Sequence, residues 1–410
     1  MARTKRGKKL DIVAVEDAHG PHTYQKFPVA IVKGKGALVW DDKGREYVDC
    51  MGGYGVAIVG HSNPAVVAAI KHQAETLITC HGSLYNDARA EFLETLTSYA
   101  PKGLDAAFLS SSGAEAVEVA LKLARKVTGK KGLVAMQGAY HGKTAGALSA
   151  TWSKKYKEPF EPLLEGVKHV ALGDLEAVER EVDADVGAVI IEPIQGEGGI
   201  MLPPAGFFKG VREICDKKGV LLIADEIQTG LGRTGKLWAM ENWGVVPDVM
   251  TLAKGLAGGV PIGATVTKAE ILSALKKGEQ TSTFGGNPLA CAAGTATLNH
   301  IVKNDLPSKA RAKGKLFLDK LKAMGLDHKL TREARGMGLM LAFELRVDIP
   351  NILNDAMSNG VIFTYSGRTI VRMLPPLVIT EPQIAKSVRV LGDAITAEEK
   401  RRANGGGGVG

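Results

Sequence analysis

GVLLIADEIQTGLGRTG, residues Gly219–Gly235, joins a continuously apolar run to an acidic pair and a glycine-rich turn. Upstream, VGAVIIEP begins at Val186 and contains a run that is equally apolar. Apolar runs that do not alternate with polar residues are typical of strands buried on both faces of a parallel sheet. These two stretches therefore predict strands at the centre of an α/β layer, with polar side chains after their carboxyl ends.

From about residue 103 to residue 267, short β-rich runs alternate with helical segments. In Ala114–Val127 apolar residues recur at three- and four-residue steps, which indicates a helix with one buried face. This alternation predicts an α/β fold with a mostly parallel sheet, in which the direction of the last strand is left open. The predicted strands are Ala107–Leu109, Leu133–Met136, Lys168–Ala171, Ala188–Ile191, Val220–Ala224, Val249–Leu252 and Ala264–Thr267.

Both ends of the chain predict a second, smaller α+β domain. Before the alternating block, Ala37–Trp40 and Tyr47–Val48 flank a turn as the strands of a hairpin do. After the block come one helical segment and three strand-like runs, at Ala310–Ala323, Met340–Leu345, Ile362–Thr364 and Ile370–Met373. The predicted division is an N-terminal arm with part of the small domain at 1–65, a large domain at 66–300, the rest of the small domain at 301–400 and a disordered tail at 401–410.

Composition narrows the class of protein. No run of about 18 apolar residues occurs and no apolar run follows the basic N-terminus, so we expect neither a spanning helix nor a secretory signal. Four widely spaced cysteines without a CxxC pair indicate a reducing, cytoplasmic compartment and no metal site. The net charge is +8, and the basic run Arg3–Lys9 is either a solvated tail or attracts an acidic partner. No aromatic residues interleave with it, which disfavours nucleic acid.

Three groups of polar residues follow predicted strands. Ser110–Gly113 opens a helix, where hydroxyls and free amides bind an anion or a serine simply caps the helix. Asp225 ends its strand and either faces a ligand or caps the next turn. Lys254 follows another strand, where a desolvated lysine forms a Schiff base and an exposed one does not. Together they suit pyridoxal 5′-phosphate, which has a phosphate, a basic ring nitrogen and an aldehyde.

Several motifs of the sequence resemble those of a known family. The motifs Leu221–Gly235, Pro247–Ala264 and Thr281–Ala290 look like those of the class III pyridoxal-phosphate aminotransferases, and SSGAEA, AYHGKT and EPIQGEGG match in the family order. The resemblance runs from about residue 35 to residue 391. It implies the fold-type I architecture of pyridoxal-phosphate-dependent transferases, with a large domain around a mostly parallel sheet, and a homodimer.

The resemblance also implies a role for each matched residue. Lys254 is the Schiff-base lysine and carries the proton, Asp225 pairs with the pyridinium nitrogen, Gln228 lies near the phenolic oxygen, and Tyr140 stacks on the ring. Thr283 reaches the phosphate of the cofactor in the other subunit, so a monomer is expected to be inactive. The other residues implied at the cofactor are Ser112, Gly113, Ala114, Glu226 and Ile227.

For the substrate, Arg372 matches the arginine that binds a carboxylate through its guanidinium fork. Glu197 matches the glutamate that pairs with it when the carboxylate is absent, so the two form either a substrate switch or a structural ion pair. Tyr54 and Ser282 are implied near the substrate. Lys143 stands where most of this subgroup has arginine. The lysine keeps the positive charge but lacks the forked guanidinium that binds a carboxylate through two nitrogens.

The segments Asp49–Pro64, Lys71–Leu77, Thr151–Phe160 and Arg335–Met340 resemble the aminotransferase of the carrier-protein lysine pathway. This implies transfer between glutamate or 2-oxoglutarate and a semialdehyde on a small acidic amino-group carrier protein, for lysine or arginine biosynthesis. A basic face, to which Lys154, Lys155 and Lys157 contribute, would attract such a carrier, unless it is merely solvated.

Two other hypotheses stay open. One is the same chemistry on free acetylornithine, ornithine or 4-aminobutyrate. The other is a catalytically silent fold that binds nucleic acid through its basic tail, against which the combination of Lys254 and Asp225 argues.

Overall fold

A seven-stranded sheet forms the centre of the fold in this computed structural model, which describes residues 10–404. Its order is β4-β10-β9-β8-β7-β5-β6. The strand β10 runs antiparallel to both neighbours, whereas the others pair in parallel. All seven strands predicted from the sequence are found within two residues of their expected bounds, and the last strand is antiparallel. They are β4 (Ala106–Ser110), β5 (Gly132–Met136), β6 (Val167–Val170), β7 (Val186–Ile191), β8 (Leu221–Asp225), β9 (Val249–Leu252) and β10 (Gly263–Thr267).

Helices cover both faces of this sheet. There are also three short 3₁₀ segments in the described chain, at Glu158–Phe160, Ala239–Trp243 and Lys254–Ala257. The helices are α1 (Ile12–His19), α2 (Gly52–Gly55), α3 (Pro64–Thr76), α4 (Asp87–Tyr99), α5 (Gly113–Thr128), α6 (Ala145–Ala150), α7 (Lys154–Lys157), α8 (Leu175–Glu181), α9 (Phe207–Lys218), α10 (Ala269–Leu272), α11 (Pro288–Lys303), α12 (Leu306–Gly325), α13 (Pro350–Ser358) and α14 (Glu381–Asn404).

Strand alternation decides which side chains face the site. Leu222 and Ala224 of β8 pack with α8 and α9, whereas Ile223 packs on the opposite face with α5. Because successive residues of a strand point to opposite faces, Asp225 lies on the same face as Ile223. The acid that ends β8 therefore faces the side of the sheet on which α5 begins.

The two ends of the chain meet in a small sheet. Four strands pair in the order β1-β2-β3-β13, and β13 joins β3 in parallel, with Val361 opposite Val48. A second small sheet has the order β11-β12-β15-β14. The strands are β1 (Ile31–Lys35), β2 (Leu38–Asp41), β3 (Glu46–Asp49), β11 (Thr331–Met337), β12 (Met340–Leu345), β13 (Val361–Ile362), β14 (Thr364–Ser366) and β15 (Ile370–Met373).

Two expectations for the flanks need correction. The run Ile362–Thr364 is not one strand, because its first residue pairs with β3 and its last pairs with β15. The predicted disordered tail at 401–410 is helical through Asn404. The domain bounds at 65/66 and 300/301 stay a prediction, and the basic run Arg3–Lys9 lies outside the described residues. Within residues 10–404, no helix is long and apolar enough to cross a membrane.

Candidate active site

A cavity of about 440 Å³ lies at the carboxyl ends of the central strands, where ligands bind in open α/β sheets. Its walls come from the residues that follow β4, β5, β7, β8 and β9. The structure brings most of the predicted site residues together there: Ser112, Gly113, Ala114, Tyr140, Lys143, Glu197, Asp225, Ile227, Gln228 and Lys254.

Asp225 forms the floor of the cavity and is 3% exposed. Its Oδ2 lies 2.6 Å from Nδ1 of His141, and its Oδ1 accepts hydrogen bonds from Thr251 Oγ1 at 3.2 Å and the Ile227 amide at 3.1 Å. Burial opposes a charge on His141, but the hydrogen bond and charge of Asp225 outweigh it and raise the pKa of His141 above its usual value. The floor is therefore a buried carboxylate paired with a histidine whose protonated form it favours.

Sequence reasoning missed His141, although it lies inside the matched motif AYHGKT. It also missed Glu192, which follows β7 as Asp225 ends β8. The buried Glu192 carboxylate accepts hydrogen bonds from the amides of Tyr140 at 2.9 Å and Gly196 at 3.0 Å. Burial raises the pKa of Glu192 to about 7, against the charge of His141. The sequence signal that could have identified Glu192 is an acidic residue directly after a buried strand. In the structure Glu192 holds together the two loops of the cavity wall that contain Tyr140 and Gly196.

Lys254 follows β9 and reaches into the same cavity. Its backbone has φ +43°, in the left-handed region that a residue with a Cβ rarely adopts. Burial of the amine, reinforced by the charge of Arg372, lowers the pKa of Lys254 to about 8. A minority of this amine is therefore neutral near physiological pH, but that fraction is far larger than for an ordinary lysine, as a nucleophilic lysine requires.

The first turn of α5 forms a second wall. Ser112 caps the helix, because its Oγ accepts a hydrogen bond from the Glu115 amide at 3.3 Å, so the simple capping interpretation holds for that hydroxyl. Gly113 and Ala114 line the cavity, and the first amides of a helix have no partner inside it. A Cβ on Gly113 would lie 2.9 Å from the Ile227 side chain, so only glycine leaves this wall open.

Arg372 of β15 is fully buried and adjoins the cavity through Glu197, which lines it. Glu197 Oε1 lies 2.8 Å from Arg372 Nη1, yet none of the three guanidinium nitrogens has a well-directed hydrogen bond among the described residues. The ring of Tyr54 lies 5.5 Å from Arg372 Cζ. A buried cation with one off-line acid and unused donors can accept a second carboxylate.

Lys143 lies at the mouth of the cavity. Its Nζ is 3.2 Å from the ring centroid of Tyr156 and 5.7 Å from that of Tyr140, which is a cation–π arrangement. Burial lowers the pKa of Lys143 below its usual value, against the charge of Glu197. Tyr156, which belongs to α7, carried no signal in the sequence, since only folding brings it to Lys143.

Five predicted site residues do not line this cavity: Arg372, which contacts Glu197, Tyr54, which contacts Arg372, and Glu226, Ser282 and Thr283. The carboxylate of Glu226 accepts hydrogen bonds from the amides of Ala239 at 2.6 Å and Met240 at 2.9 Å, so its expected place at the cofactor is wrong for the side chain. Alternation turns it to the face opposite Asp225, and burial raises its pKa to about 7. Ser282 accepts a hydrogen bond from the Gly285 amide at 2.9 Å, and Thr283 is exposed.

Comparisons with known proteins agree with this arrangement. The family model for class-III aminotransferases matches residues 19–395. An acetylornithine aminotransferase of Methanopyrus kandleri is 45% identical over 390 residues, which cover 95% of this chain and 100% of that protein. A LysW-aminoadipate semialdehyde transaminase of Deinococcus radiodurans is 43% identical over 396 residues, covering 95% of this chain and 92% of the relative. The crystal structure of an ornithine aminotransferase from Toxoplasma gondii superposes with a TM-score of 0.91 at 35% identity, covering 95% of each chain.

The fold and the site define a pyridoxal-phosphate-dependent aminotransferase of fold type I. The chain belongs to the class III aminotransferases, and its cofactor is pyridoxal 5′-phosphate. The described residues fit that group. Gln228 Oε1 and His141 Nε2 are buried without hydrogen-bond partners, the Gly113 wall is open, and the Lys254 amine is free to react. Among residues 10–404, no cluster of histidine, cysteine and acidic side chains could hold a metal ion.

Proposed function

We propose that this enzyme moves an amino group between glutamate or 2-oxoglutarate and a semialdehyde attached to an acidic carrier protein. The semialdehyde is that of aminoadipate, of glutamate or of both, in lysine or arginine biosynthesis. The observation that supports this substrate is the arrangement at the mouth of the cavity. There Tyr156 of α7 contacts Lys143, which lines the cavity, while Lys154 and Lys155 of the same helix are exposed to solvent. The name of the Deinococcus relative supports the same choice.

Pyridoxal phosphate, when bound, supplies an aldehyde and a ring that accepts electrons. The chain would hold its phosphate at Gly113 and Ala114, its ring against Tyr140 and its ring nitrogen at Asp225. Asp225, held in place by His141 and Thr251, would pair with the protonated ring nitrogen. Lys254 Nζ moves a proton to and from the substrate carbon as general base and acid.

The Arg372–Glu197 pair explains how one cavity serves two substrates. A glutamate carboxylate would displace Glu197 and occupy the unused donors of Arg372. A semialdehyde-derived substrate has no carboxylate at that end, and Glu197 then neutralises the buried cation. The loop of Glu197 is fixed through its backbone, because Ser366 donates to the Glu197 carbonyl and Arg335 donates to the Gly199 carbonyl at 2.7 Å. The side chain of Glu197, which is 30% exposed, is the part left to move.

The carrier would dock on the outer side of α7. Lys154 and Lys155 are exposed there, beside the tyrosine that contacts Lys143. Lys157 does not belong to this docking surface, because its Nζ donates to the Ser149 carbonyl at 3.1 Å and it lies within reach of the Glu161 charge. Two free ammonium groups at the cavity mouth would steer an acidic protein to the site.

We also propose that the active form is a homodimer. Leu84 (66% exposed), Tyr85 (107%) and Phe284 (67%) are exposed apolar side chains. They lie on two segments that Arg89 joins by donating to the carbonyls of Leu84 and Gly286, next to Ser282 and Thr283. A partner subunit on these segments would bury the apolar side chains and bring those two hydroxyls to the other cavity. Light scattering is expected to give a dimer, and Phe284→Asp should give inactive monomers, whereas an active monomer would contradict this part.

The four cysteines are free among the described residues, in keeping with a cytoplasmic location.

One assay separates the two candidate functions. The second candidate, transamination of free acetylornithine, is favoured by the name of the Methanopyrus relative. Glutamate is incubated with the enzyme and either a carrier-bound or a free semialdehyde, and kcat/KM is compared. The proposal expects the carrier-bound form to be the better substrate by at least about tenfold, the size of a steering effect. Faster turnover of the free substrate would establish the second candidate.

A further inference from the structure

The turn Gly52–Gly55 has a backbone that needs outside support. Its φ angles are +58° at Gly52, +60° at Gly53, +60° at Tyr54 and +89° at Gly55. Three of these residues are glycines, which adopt the left-handed region readily, but Tyr54 carries a Cβ and does not. Contacts elsewhere must therefore hold Tyr54 in this conformation.

Asp49 and His61 hold the start of the turn. Asp49 Oδ1 accepts hydrogen bonds from the amides of Met51 at 2.9 Å and Gly52 at 2.8 Å. Its Oδ2 lies 2.7 Å from Nε2 of His61. His61 is itself fixed, because its backbone exchanges two hydrogen bonds with Gly36, at 2.8 and 3.0 Å. The imidazole thus ties the buried carboxylate, and through it the turn, to the first hairpin.

The same turn is joined to the strand of Arg372. The Leu374 amide donates to the Cys50 carbonyl at 2.8 Å, and Gly52 lies so close to the Leu374 carbonyl that a Cβ would collide with it. This attachment fixes the distance between the turn and β15. The ring of Tyr54, 5.5 Å from Arg372 Cζ, then covers one face of the guanidinium. An aromatic face stabilises the cation and keeps water from it.

We propose that Asp49 and His61 are positioning residues that hold Tyr54 over Arg372 and thereby strengthen binding of a substrate carboxylate. The inference rests on the proposed function only in that Arg372 binds that carboxylate. Without the His61 contact, only the two backbone amides hold the Asp49 carboxylate, so the turn is held less firmly in its left-handed conformation and Tyr54 moves off the guanidinium more readily. Water then competes with the carboxylate for the donors of Arg372.

The test measures binding of glutarate, a non-reacting dicarboxylate, to the holoenzyme by calorimetry. His61→Ala should raise the dissociation constant about fivefold, as loss of a part-buried cation–π contact predicts. His61→Gln, whose amide can still donate to Asp49, should restore most of the affinity. His72→Ala, at an exposed histidine of α3, should leave the affinity unchanged.

A double-mutant cycle distinguishes positioning from general loss of structure. In a Tyr54→Leu background, His61→Ala should have no further effect on glutarate binding, because its effect acts through the ring. Additive effects, or wild-type affinity in His61→Ala, would overturn the inference. Arg372→Leu tests the proposed function separately. If this variant binds glutarate as tightly as the wild type, Arg372 does not bind the carboxylate, and both the proposed role of Arg372 and the inference built on it are wrong.

Discussion

The floor of the cavity, at Asp225, and the end where Arg372 would bind a substrate carboxylate are built in opposite ways. At the floor, both oxygens of Asp225 have partners, namely His141, Thr251 and a backbone amide, all from the central sheet and the loops that follow its strands. At the other end, Arg372 is equally buried but its donors have no well-directed partner, and its neighbours come from distant parts of the chain. A satisfied network keeps one arrangement, whereas unused donors can exchange partners. We therefore place the invariant chemistry at the floor and the choice of substrate at the carboxylate end and the mouth.

The largest effect should follow from removing the amine beside the floor. Lys254→Ala is expected to lower the rate of transamination by at least about 10³-fold, because both the nucleophile and the proton carrier are lost. The visible absorbance of the bound cofactor should shift, while the circular dichroism spectrum stays that of the wild type. Lys315→Ala, at an exposed lysine, is the matched control. Turnover at a normal rate would refute the account of the floor.

His141→Asn should have the next largest effect. An amide can still contact Asp225, but it cannot supply a charge, so the buried carboxylate loses its ion-pair partner. We expect the free energy of unfolding to fall by about 3 kcal/mol, as for a broken buried pair, and kcat to fall about tenfold or more. Denaturant titration and steady-state kinetics measure the two effects. If kcat stayed unchanged, the histidine would be structural only.

The depressed pKa of Lys254 predicts how apoenzyme captures its cofactor. Only the neutral amine attacks an aldehyde, and its fraction rises with pH through the pKa of about 8. The rate of cofactor uptake, followed by absorbance, should therefore increase about tenfold per pH unit below that midpoint and level off above it. A midpoint near the usual lysine value would show that burial does not act on this amine.

Glu197→Ala should change substrate balance more than total activity. Without the acid, Arg372 is permanently open to carboxylates, so kcat/KM for glutamate should rise a few fold relative to that for the amine on the semialdehyde side. Asp348→Ala, which removes an acid from an exposed ion pair, serves as control. Equal changes in both half-reactions would mean that the ion pair is structural and that the two ends of the cavity do not differ as described.

The sequence predicts the floor better than the mouth, for a physical reason. Buried strands leave a continuous apolar signal, and their carboxyl ends meet at one edge, so Asp225 and Lys254 can be placed from the pattern and assigned roles by the family resemblance. The contact between His141 and Asp225 joins residues 84 apart, and no periodicity reports it. Glu226 stands beside Asp225 in the sequence but alternation sends it to the other face. The meeting of Lys143 with Tyr156 depends on a short helix whose orientation only tertiary packing sets.

The smallest effect concerns the docking surface on α7. Lys154→Ala with Lys155→Ala should lower kcat/KM for carrier-bound substrate a few fold at low salt, because exposed charges contribute mainly to encounter. The value for glutamate should stay unchanged. Lys157→Ala should lower kcat/KM for carrier-bound substrate less, because its ammonium is half-buried against the Ser149 carbonyl and does not face solvent as those of Lys154 and Lys155 do. If Lys157→Ala lowered kcat/KM for carrier-bound substrate as much as the double variant does, the distinction drawn at the mouth would not hold.

The measurement that tests the central claim most directly is kcat/KM against ionic strength for carrier-bound semialdehyde and for free acetylornithine. Exposed charges further apart than about 8 Å are largely screened at physiological salt. For the carrier-bound substrate, kcat/KM should fall at least about tenfold as salt rises, and this slope should flatten in the Lys154/Lys155 double variant. For free acetylornithine the slope should be shallow. Matching slopes, or faster turnover of free acetylornithine at every salt concentration, would contradict the account.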